Sequence, residues 1–357
     1  MDKIRTLIVD DSAFMRKSIQ IMLESDPFIE IIDTAKDGLQ GYELAKKLKP
    51  DVITMDIEMP RMDGLTALKK IMDECPTAVI MVSSLTTEGA EATLKALDLG
   101  AVDFIPKELS YVNVNIIKIK EEIVKKVKEI GRQSRLKRRV GSFINKPLVS
   151  SHKPVIEKKC DLPKYIYKSI AIGVSTGGPL SLQKLIPLLS EKITIPVFIV
   201  QHMPPHFTKS LADRLNSMSA LKVKEAEHGE KVEGGTVYIA PGGKHMTLTG
   251  NNGSVAINIG DQPDTTLHRP SVDIMMDSVL NVYGKSTLGV IMTGMGKDGF
   301  EAFKRLKSIQ GYAIAQNEET CVVYGMPRAV VEGNLADAIL PLENISNFIN
   351  NLVVKNV

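Results

Sequence analysis

The chain has 357 residues, 43% of them hydrophobic and 24% charged, about twice the roughly 150 residues of a typical domain, so two domains are expected, each able to bury its own core. This composition excludes a disordered or collagen-like chain; no uncharged apolar run reaches the roughly 18 residues of a spanning helix; and Cys75, Cys160 and Cys321 lie too far apart for a disulfide framework or a CxxC metal knuckle. The net charge of +3 conceals an uneven distribution, because residues 118–168 hold 16 Lys or Arg against 5 Asp or Glu, a local excess of +11 that leaves the remainder at −8.

At the N-terminus only Thr6 to Val9 lean apolar before Asp10 and Asp11 interrupt, so no signal-peptide hydrophobic region fits and a cytoplasmic, not membrane-embedded protein is expected. Five short β-branched runs follow: Leu7-Ile8-Val9, Ile29 to Ile32, Val52 to Met55, Ala78 to Val82 and Val102 to Ile105. Between them Met15/Ile19/Met22, Leu39/Tyr42/Ala45/Leu48 and Leu94/Leu97 recur at helical spacing, which predicts repeated βα units and a five-stranded, doubly wound parallel sheet. A fifth helix carries Ile116, Ile123, Val127 and Ile130 on one face and runs into Arg132 to Arg139. Pro147, Pro154 and Pro163 then give linker composition, so residues 131–165 are read as a basic linker between domains at 1–130 and 166–357. Further strands are expected at Ser169 to Val174, Pro196 to Val200, Thr236 to Ala240, Leu288 to Met292 and Tyr312 to Ala315, separated in several places by helices such as Ser271 to Tyr283. A hairpin is expected near Thr247 to Ile257, with turn chemistry from Gly250 to Gly253. The second half is therefore another α/β domain, mostly parallel.

Asp10 and Asp11 follow the first strand, Asp56 the third, Ser83 ends the fourth and Lys107 follows the fifth. Ligands of open parallel sheets bind beyond the carboxyl ends of the strands, so these side chains should converge in one crevice. Clustered carboxylates repel unless a cation joins them, and hard oxygen ligands suit Mg²⁺. One aspartate can then attack a phosphoryl donor, with Lys107 and Ser83 holding phosphoryl oxygens.

In the second half, Gly173-Val174-Ser175-Thr176-Gly177-Gly178-Pro179 lies between a strand and a helical pattern. A structural turn, a phosphate-cradling loop and a raised nucleophile all remain open for this G-x-S-x-G run, although G-x-G-x-x-G and the Walker loop are absent. His202 directly follows a strand, and Asp298 closes the loop after another, so serine, histidine and aspartate should meet at one sheet edge as nucleophilic acyl transfer requires. Their chain order differs from the Ser, Asp, His order of α/β-hydrolases. Pro204 and Pro205 argue against a helical metal pair of His202 and His206. His268 reads as a helix-entry loop residue that can reach the cleft rim, and His228 and His245 as structural.

Residues 1 to about 130 resemble a response-regulator receiver domain of flavodoxin-like fold, through "LIVDDSAFMR", "DVITMDIEMPRMDG", "MVSS" and "AVDFIPK". The resemblance implies Asp56 as phospho-acceptor, Asp10 and Asp11 as its Mg²⁺ partners, Ser83 and Lys107 as phosphoryl sensors, and Phe104 as the switch aromatic. Glu108 stands where such domains usually carry proline. From about Lys168 to Pro341 the chain is similar to the catalytic domain of the chemotaxis protein-glutamate methylesterases, through "IGVSTGGP", "QHMPPHFT", "YIAPGGKHM", "LHRPSVD", "GVIMTGMGKDG" and "AQNEETCVVYGMPRAV". This resemblance implies a triad of Ser175, His202 and Asp298, with the Met295 loop beside the nucleophile, and Val174 replaces the usual alanine. It also implies methyl-accepting chemotaxis receptors as substrate, hydrolysed at glutamate methyl esters and deamidated at glutamines, with no cofactor for the ester chemistry.

For that chemistry the amides near Thr176 and Met295 are the candidate oxyanion donors. A phospho-acceptor joined to an esterase suggests regulation by the chemotaxis histidine kinase, with the unphosphorylated receiver covering the Ser175 cleft. The basic linker is open to three readings: a solvated connector, a dock for an acidic receptor or kinase surface, or a nucleic-acid contact, for which no helix-turn-helix or zinc-finger signature exists. The competing functional class is a non-catalytic, phospho-regulated binding module.

Overall fold

A computed structural model describes residues 3–107, 115–143, 166–251 and 254–354. The chain divides into two units, Met1–Lys153 and Pro154–Val357.

In the first unit, strands β1 (Ile4–Val9), β2 (Ile29–Ala35), β3 (Val52–Asp56), β4 (Ala78–Ser83) and β5 (Asp103–Pro106) alternate with helices α1 (Ala13–Glu24), α2 (Gly38–Leu48), α3 (Gly64–Glu74), α4 (Thr87–Asp98) and α5 (Asn115–Phe143). All strand pairs are parallel, in the order β2-β1-β3-β4-β5. The expected five-stranded, doubly wound sheet is present. Its order reverses at β1, which opens a crevice at the carboxyl ends of β1 and β3. Helices α1 to α4 start where Ser12, Asp37, Asp63 and Thr86 accept amides of the first turn, each cap being worth about 1 kcal/mol. Ile123, Val127 and Ile130 of α5 are buried, whereas the side chain of Ile116 lies outside the described residues. The helix continues to Phe143, past the boundary expected at 130. Lysine, arginine, glutamine and leucine are good helix formers whatever their charge, so a basic run need not end a helix. Arg135 turns back to Asp51, its Nε 2.8 Å from Oδ2. Residues 144–165, the rest of the expected linker with Cys160, lie outside the described residues.

The second unit holds β6 (Ser169–Val174), α6 (Gly178–Leu185), β7 (Val197–Gln201), α7 (Phe207–Met218), β8 (Lys222–Glu225), β9 (Thr236–Ile239), the hairpin β10 (His245–Asn251) and β11 (Ser254–Gly260), α8 (Val272–Tyr283), β12 (Thr287–Ile291), α9 (Phe300–Ser308), β13 (Tyr312–Gln316), α10 (Met326–Glu332), β14 (Ala338–Leu340) and α11 (Leu342–Val354). Seven strands form a wholly parallel sheet, β14-β13-β12-β6-β7-β9-β8. The antiparallel β10–β11 hairpin stands apart from it, in the expected region but longer at both ends. Two edge strands, β8 and β14, were not expected. The first alternates lysine with valine and glutamate and the second has three residues, so neither carries the apolar run of a buried strand. Strands β6, β7, β12 and β13 are buried along their whole length, as parallel strands covered on both faces must be. Phe198 stacks on Tyr238 at 5.8 Å, and Met275, Val279, Phe303 and Leu306 of α8 and α9 share that core. The Leu248 amide donates to Ser278 Oγ at 3.0 Å, which ties the hairpin to α8. Among the described residues no helix is long and apolar enough to cross a membrane.

Candidate active site and phospho-acceptor site

The β1 and β3 ends bring Asp10, Asp11 and Asp56 together, with one carboxylate oxygen from each within 4.8 Å of the others. Asp10 and Asp56 are buried and Asp11 is exposed. Asp10 Oδ1 accepts the Ser12 amide at 2.9 Å, while its Oδ2 is buried without a hydrogen bond and lies 3.8 Å from Lys107 Nζ. Lys107 pairs instead with Asp56, Nζ 2.6 Å from Oδ2. Burial pushes the Asp10 carboxyl up to about 6, and the neighbouring Asp56 charge adds to this against the pull of Lys107. Burial likewise raises Asp56, opposed by the hydrogen bond and charge of Lys107. Three carboxylates with an unsatisfied buried oxygen, in excess over one lysine, form a donor set that fits a hard divalent cation. A groove of about 730 Å³ lined by Asp11, Ile57, Met59, Asp63 and Leu65 opens beside them. Ser83 Oγ donates to the Gly89 carbonyl at 3.1 Å, so its hydroxyl is directed at α4. Phe104 is buried, with Lys126 Nζ 5.5 Å from its ring centre and 2.7 Å from its carbonyl oxygen.

In the second unit, β7, β6 and β12 are neighbours, and Ser175, His202 and Asp298 follow β6, β7 and β12 respectively. Val174 pairs with Gln201 in the β6–β7 register, and the His202 amide donates to the Val174 carbonyl at 3.2 Å. Ser175 and His202 thus leave adjacent strands one step after paired residues, with backbones about 4.8 Å apart at that level. His202 Nε2–H donates to Asp298 Oδ2 at 2.7 Å, between side chains only 9% and 10% exposed. Its Nδ1 is buried and has no hydrogen-bond partner among the described residues.

Asp298 is saturated. Besides His202, its Oδ2 accepts the Val272 amide at 2.7 Å, and its Oδ1 accepts Ser271 Oγ at 2.8 Å and the Asp273 amide at 3.2 Å. The α8 N-terminus therefore aims its free amides and the positive end of its dipole at the acid. Burial raises the Asp298 carboxyl, but the His202 hydrogen bond and charge and the two amides outweigh it and hold the group well below the carboxylate range. Neighbouring Asp273 moves the other way, to about 6, first by burial and then through the Asp298 charge, although its Oδ1 accepts the Ala302 amide at 2.8 Å.

The turn that carries Ser175 is held mostly by main chain. The Ser175 amide donates to the Thr293 carbonyl at 3.0 Å and the Gly178 amide to the Ser175 carbonyl at 2.7 Å. Thr176 and Met295 are buried, and among the described residues neither amide has an acceptor. Gly177 takes φ +75° ahead of α6, a left-handed position that favours glycine. Sequence reasoning missed Gln201, whose Nε2 donates both to the Ser175 carbonyl at 3.0 Å and to the His202 carbonyl at 3.1 Å. A polar residue ending an otherwise apolar strand run was the available signal. It missed Ser271 too, although a serine before a helical apolar pattern is a capping signal. A methyl group on Gly178 would lie 1.9 Å from Gln201 Oε1. Gly178→Ala is therefore expected to displace that bridge and lower kcat by about 10-fold or more, with a smaller loss of stability, as steady-state kinetics and thermal unfolding will show.

His206 is exposed at the start of α7. His228 Nδ1 accepts the Ile259 amide at 3.2 Å, and His245 Nε2 lies 3.2 Å from the Pro263 carbonyl, in a burial that lowers its pKa. His268 does reach the site, its ring stacked on that of His202.

The CheB methylesterase family matches residues 170–349 and the response regulator receiver domain matches residues 6–115. The chain is 46% identical to protein-glutamate methylesterase/protein-glutamine glutaminase 1 of Oleidesulfovibrio alaskensis, over 99% of this chain and 100% of the relative. A protein-glutamate methylesterase/protein-glutamine glutaminase of Lawsonia intracellularis is 48% identical over 98% and 99% of the two chains. The crystal structure of the Thermotoga maritima CheB methylesterase catalytic domain superposes with a TM-score of 0.51 at 46% identity, covering 53% of this chain and 100% of that one.

Proposed function

The chain belongs to the CheB methylesterase family and carries a response-regulator receiver domain, and from that premise we propose that it is a phosphorylation-regulated hydrolase of glutamate methyl esters on chemotaxis receptors, and of receptor glutamines. The reading rests on one observation above all: His202 gives Nε2–H to a saturated Asp298 and keeps a buried, unpartnered Nδ1, on a residue that leaves β7 beside the point where Ser175 leaves β6.

Nδ1 takes the Ser175 proton as the hydroxyl oxygen bonds to the ester carbonyl carbon, and Asp298 stabilises the imidazolium that forms. The Thr176 and Met295 amides receive the oxyanion, at about 3 kcal/mol for a typical single donor. The C–O bond then breaks, imidazolium returns the proton to the leaving methoxide oxygen, and methanol departs. Water, deprotonated by the same Nδ1, resolves the acyl-enzyme to glutamate and free Ser175. With glutamine the leaving group is ammonia. A non-catalytic binding module is not favoured.

In the receiver, Asp10, Asp11 and Asp56 are the residues to hold Mg²⁺, which when bound supplies positive charge to a phosphoryl group. Asp56 Oδ is the phospho-acceptor, Lys107 shields it, and Ser83 and Phe104 carry the switch. A chemotaxis histidine kinase is the phosphodonor, in the cytoplasm.

The test is methanol release from methylated receptor cytoplasmic fragments, with and without a small phosphodonor and Mg²⁺. Release should rise with both present. Asp56→Asn should keep basal release and lose the stimulation, and chelating the metal should do the same to the wild type. No release from folded protein sinks the esterase reading, and release without stimulation sinks the switch.

A further inference from the structure

A single hydrogen bond does not orient an imidazole. The Nε2–Asp298 contact fixes one ring nitrogen, yet the ring can still tilt about it, and Nδ1 has no partner among the described residues to stop it. Proton transfer needs that nitrogen aimed at Ser175 within about 10–20°. The missing constraint lies on the ring face: His268 stacks on His202 with centroids 4.2 Å apart and planes 15° from parallel. His268 is presented by the short segment that also places Ser271 Oγ and the Val272 and Asp273 amides on Asp298. Base and acid are thus positioned by one stretch, residues 268–273. Next to it Leu267 is 97% exposed, so the segment runs at the surface and His268 is the side chain that turns inward over the base.

We propose that His268 is a positioning residue for the hydrolysis, holding the His202 ring in the plane that aims Nδ1 at Ser175 and offering its π face to the imidazolium that forms. This rests on the Ser175–His202–Asp298 reading. The stack contributes through its aromatic face rather than through a proton of its own, which separates it from an acid or base role. A cation over an aromatic face is favoured over one facing a bare aliphatic wall.

The experiment compares His268→Ala, His268→Leu and His268→Phe in the full chain. Two rates are read: methanol release from methylated receptor fragments, and covalent labelling of Ser175 by a fluorophosphonate, which needs the activated serine but no receptor. Ala and Leu are expected to lower kcat and the labelling rate together by about 10-fold, with KM little changed. Phe should restore both to near the wild-type rates. Leu keeps the bulk, so it carries the comparison if Ala fails to fold. Ala and Leu labelling at the wild-type rate, or Phe no better than Leu, overturns the proposal. Wild type that is labelled but releases no methanol contradicts only the receptor substrate, whereas wild type that is not labelled at Ser175 overturns the triad and the proposal with it.

Discussion

Ser175→Ala is expected to lower methanol release by about 10⁴-fold to 10⁶-fold, the range seen when a serine nucleophile is removed and only binding and oxyanion stabilisation remain. The serine is half-buried at the end of β6, and its backbone contacts are the Thr293 carbonyl, the Gly178 amide and the Gln201 amide group, none of which involves the hydroxyl. The variant should therefore fold with an unchanged melting temperature, within the small range of substitutions that disturb no buried network. Phosphorylation of Asp56 by a small phosphodonor should proceed at the wild-type rate, because Asp10, Asp11, Asp56 and Lys107 belong to a separate unit. Ester and amide hydrolysis should fall together. Retained turnover in either would mean that another group attacks the carbonyl.

The second large effect is at the acid. In Asp298→Asn an amide nitrogen must replace one carboxylate oxygen. Placed at Oδ1 it faces the Asp273 amide, and at Oδ2 it faces the Val272 amide, so in either orientation donor meets donor. The imidazole also loses the anion opposite its developing charge. We expect kcat to fall by about 10⁴-fold, as for the same change in other serine hydrolases, and stability at neutral pH to drop by about 2–3 kcal/mol from the unpaired buried amide and the lost charge-assisted bonds. The sign with pH follows from the depressed carboxyl. Its stabilisation is complete above the unfolded value near 3.9 and is lost as pH falls through the lower folded value. Urea unfolding of both proteins should thus show a gap that persists from neutral pH to about pH 5 and closes only in strong acid. Protonation of Asp273 near pH 6 relieves its repulsion with Asp298 in the wild type alone and can only widen the gap, so a gap that closes above about pH 5 would contradict the depressed Asp298 carboxyl.

The sequence made the framework readable because parallel strands buried on both faces are apolar runs and their ends are abrupt. Val9 is followed by Asp10, Met55 by Asp56, and the strand ending at Gln201 by His202. Each change from apolar to chemical residue marks a sheet edge, and the strand ends alone placed Asp10 beside Asp56 and His202 within reach of Asp298. What escaped depends on geometry with no periodic signature. β8 alternates charged with apolar residues, and β14 is an apolar run of only three residues, too short to stand out as a strand. The continuation of α5 to Phe143 follows from helix propensity, which charge-based reading of the linker set aside. Gln201 acts by bridging two carbonyls that are close only after β6 and β7 pair, and the ring stack of His268 needs the α8 entry to fold back on the β7 end. Both are consequences of tertiary packing, which local pattern does not encode.

The place of β6, β7 and β12 within the seven-stranded sheet has one more consequence. These strands are contiguous, fully buried and flanked on each side by two further strands, β13 and β14 on one edge and β9 and β8 on the other. Edge strands open first in native-state fluctuations, while central strands exchange their amides only through global unfolding. The proposed triad is thus seated in the last part of the sheet to open. The short β14 and the charged β8 can fray and rejoin many times while the relative positions of Ser175, His202 and Asp298 persist, so resistance of the activity to denaturant is set by the whole domain rather than by its margins.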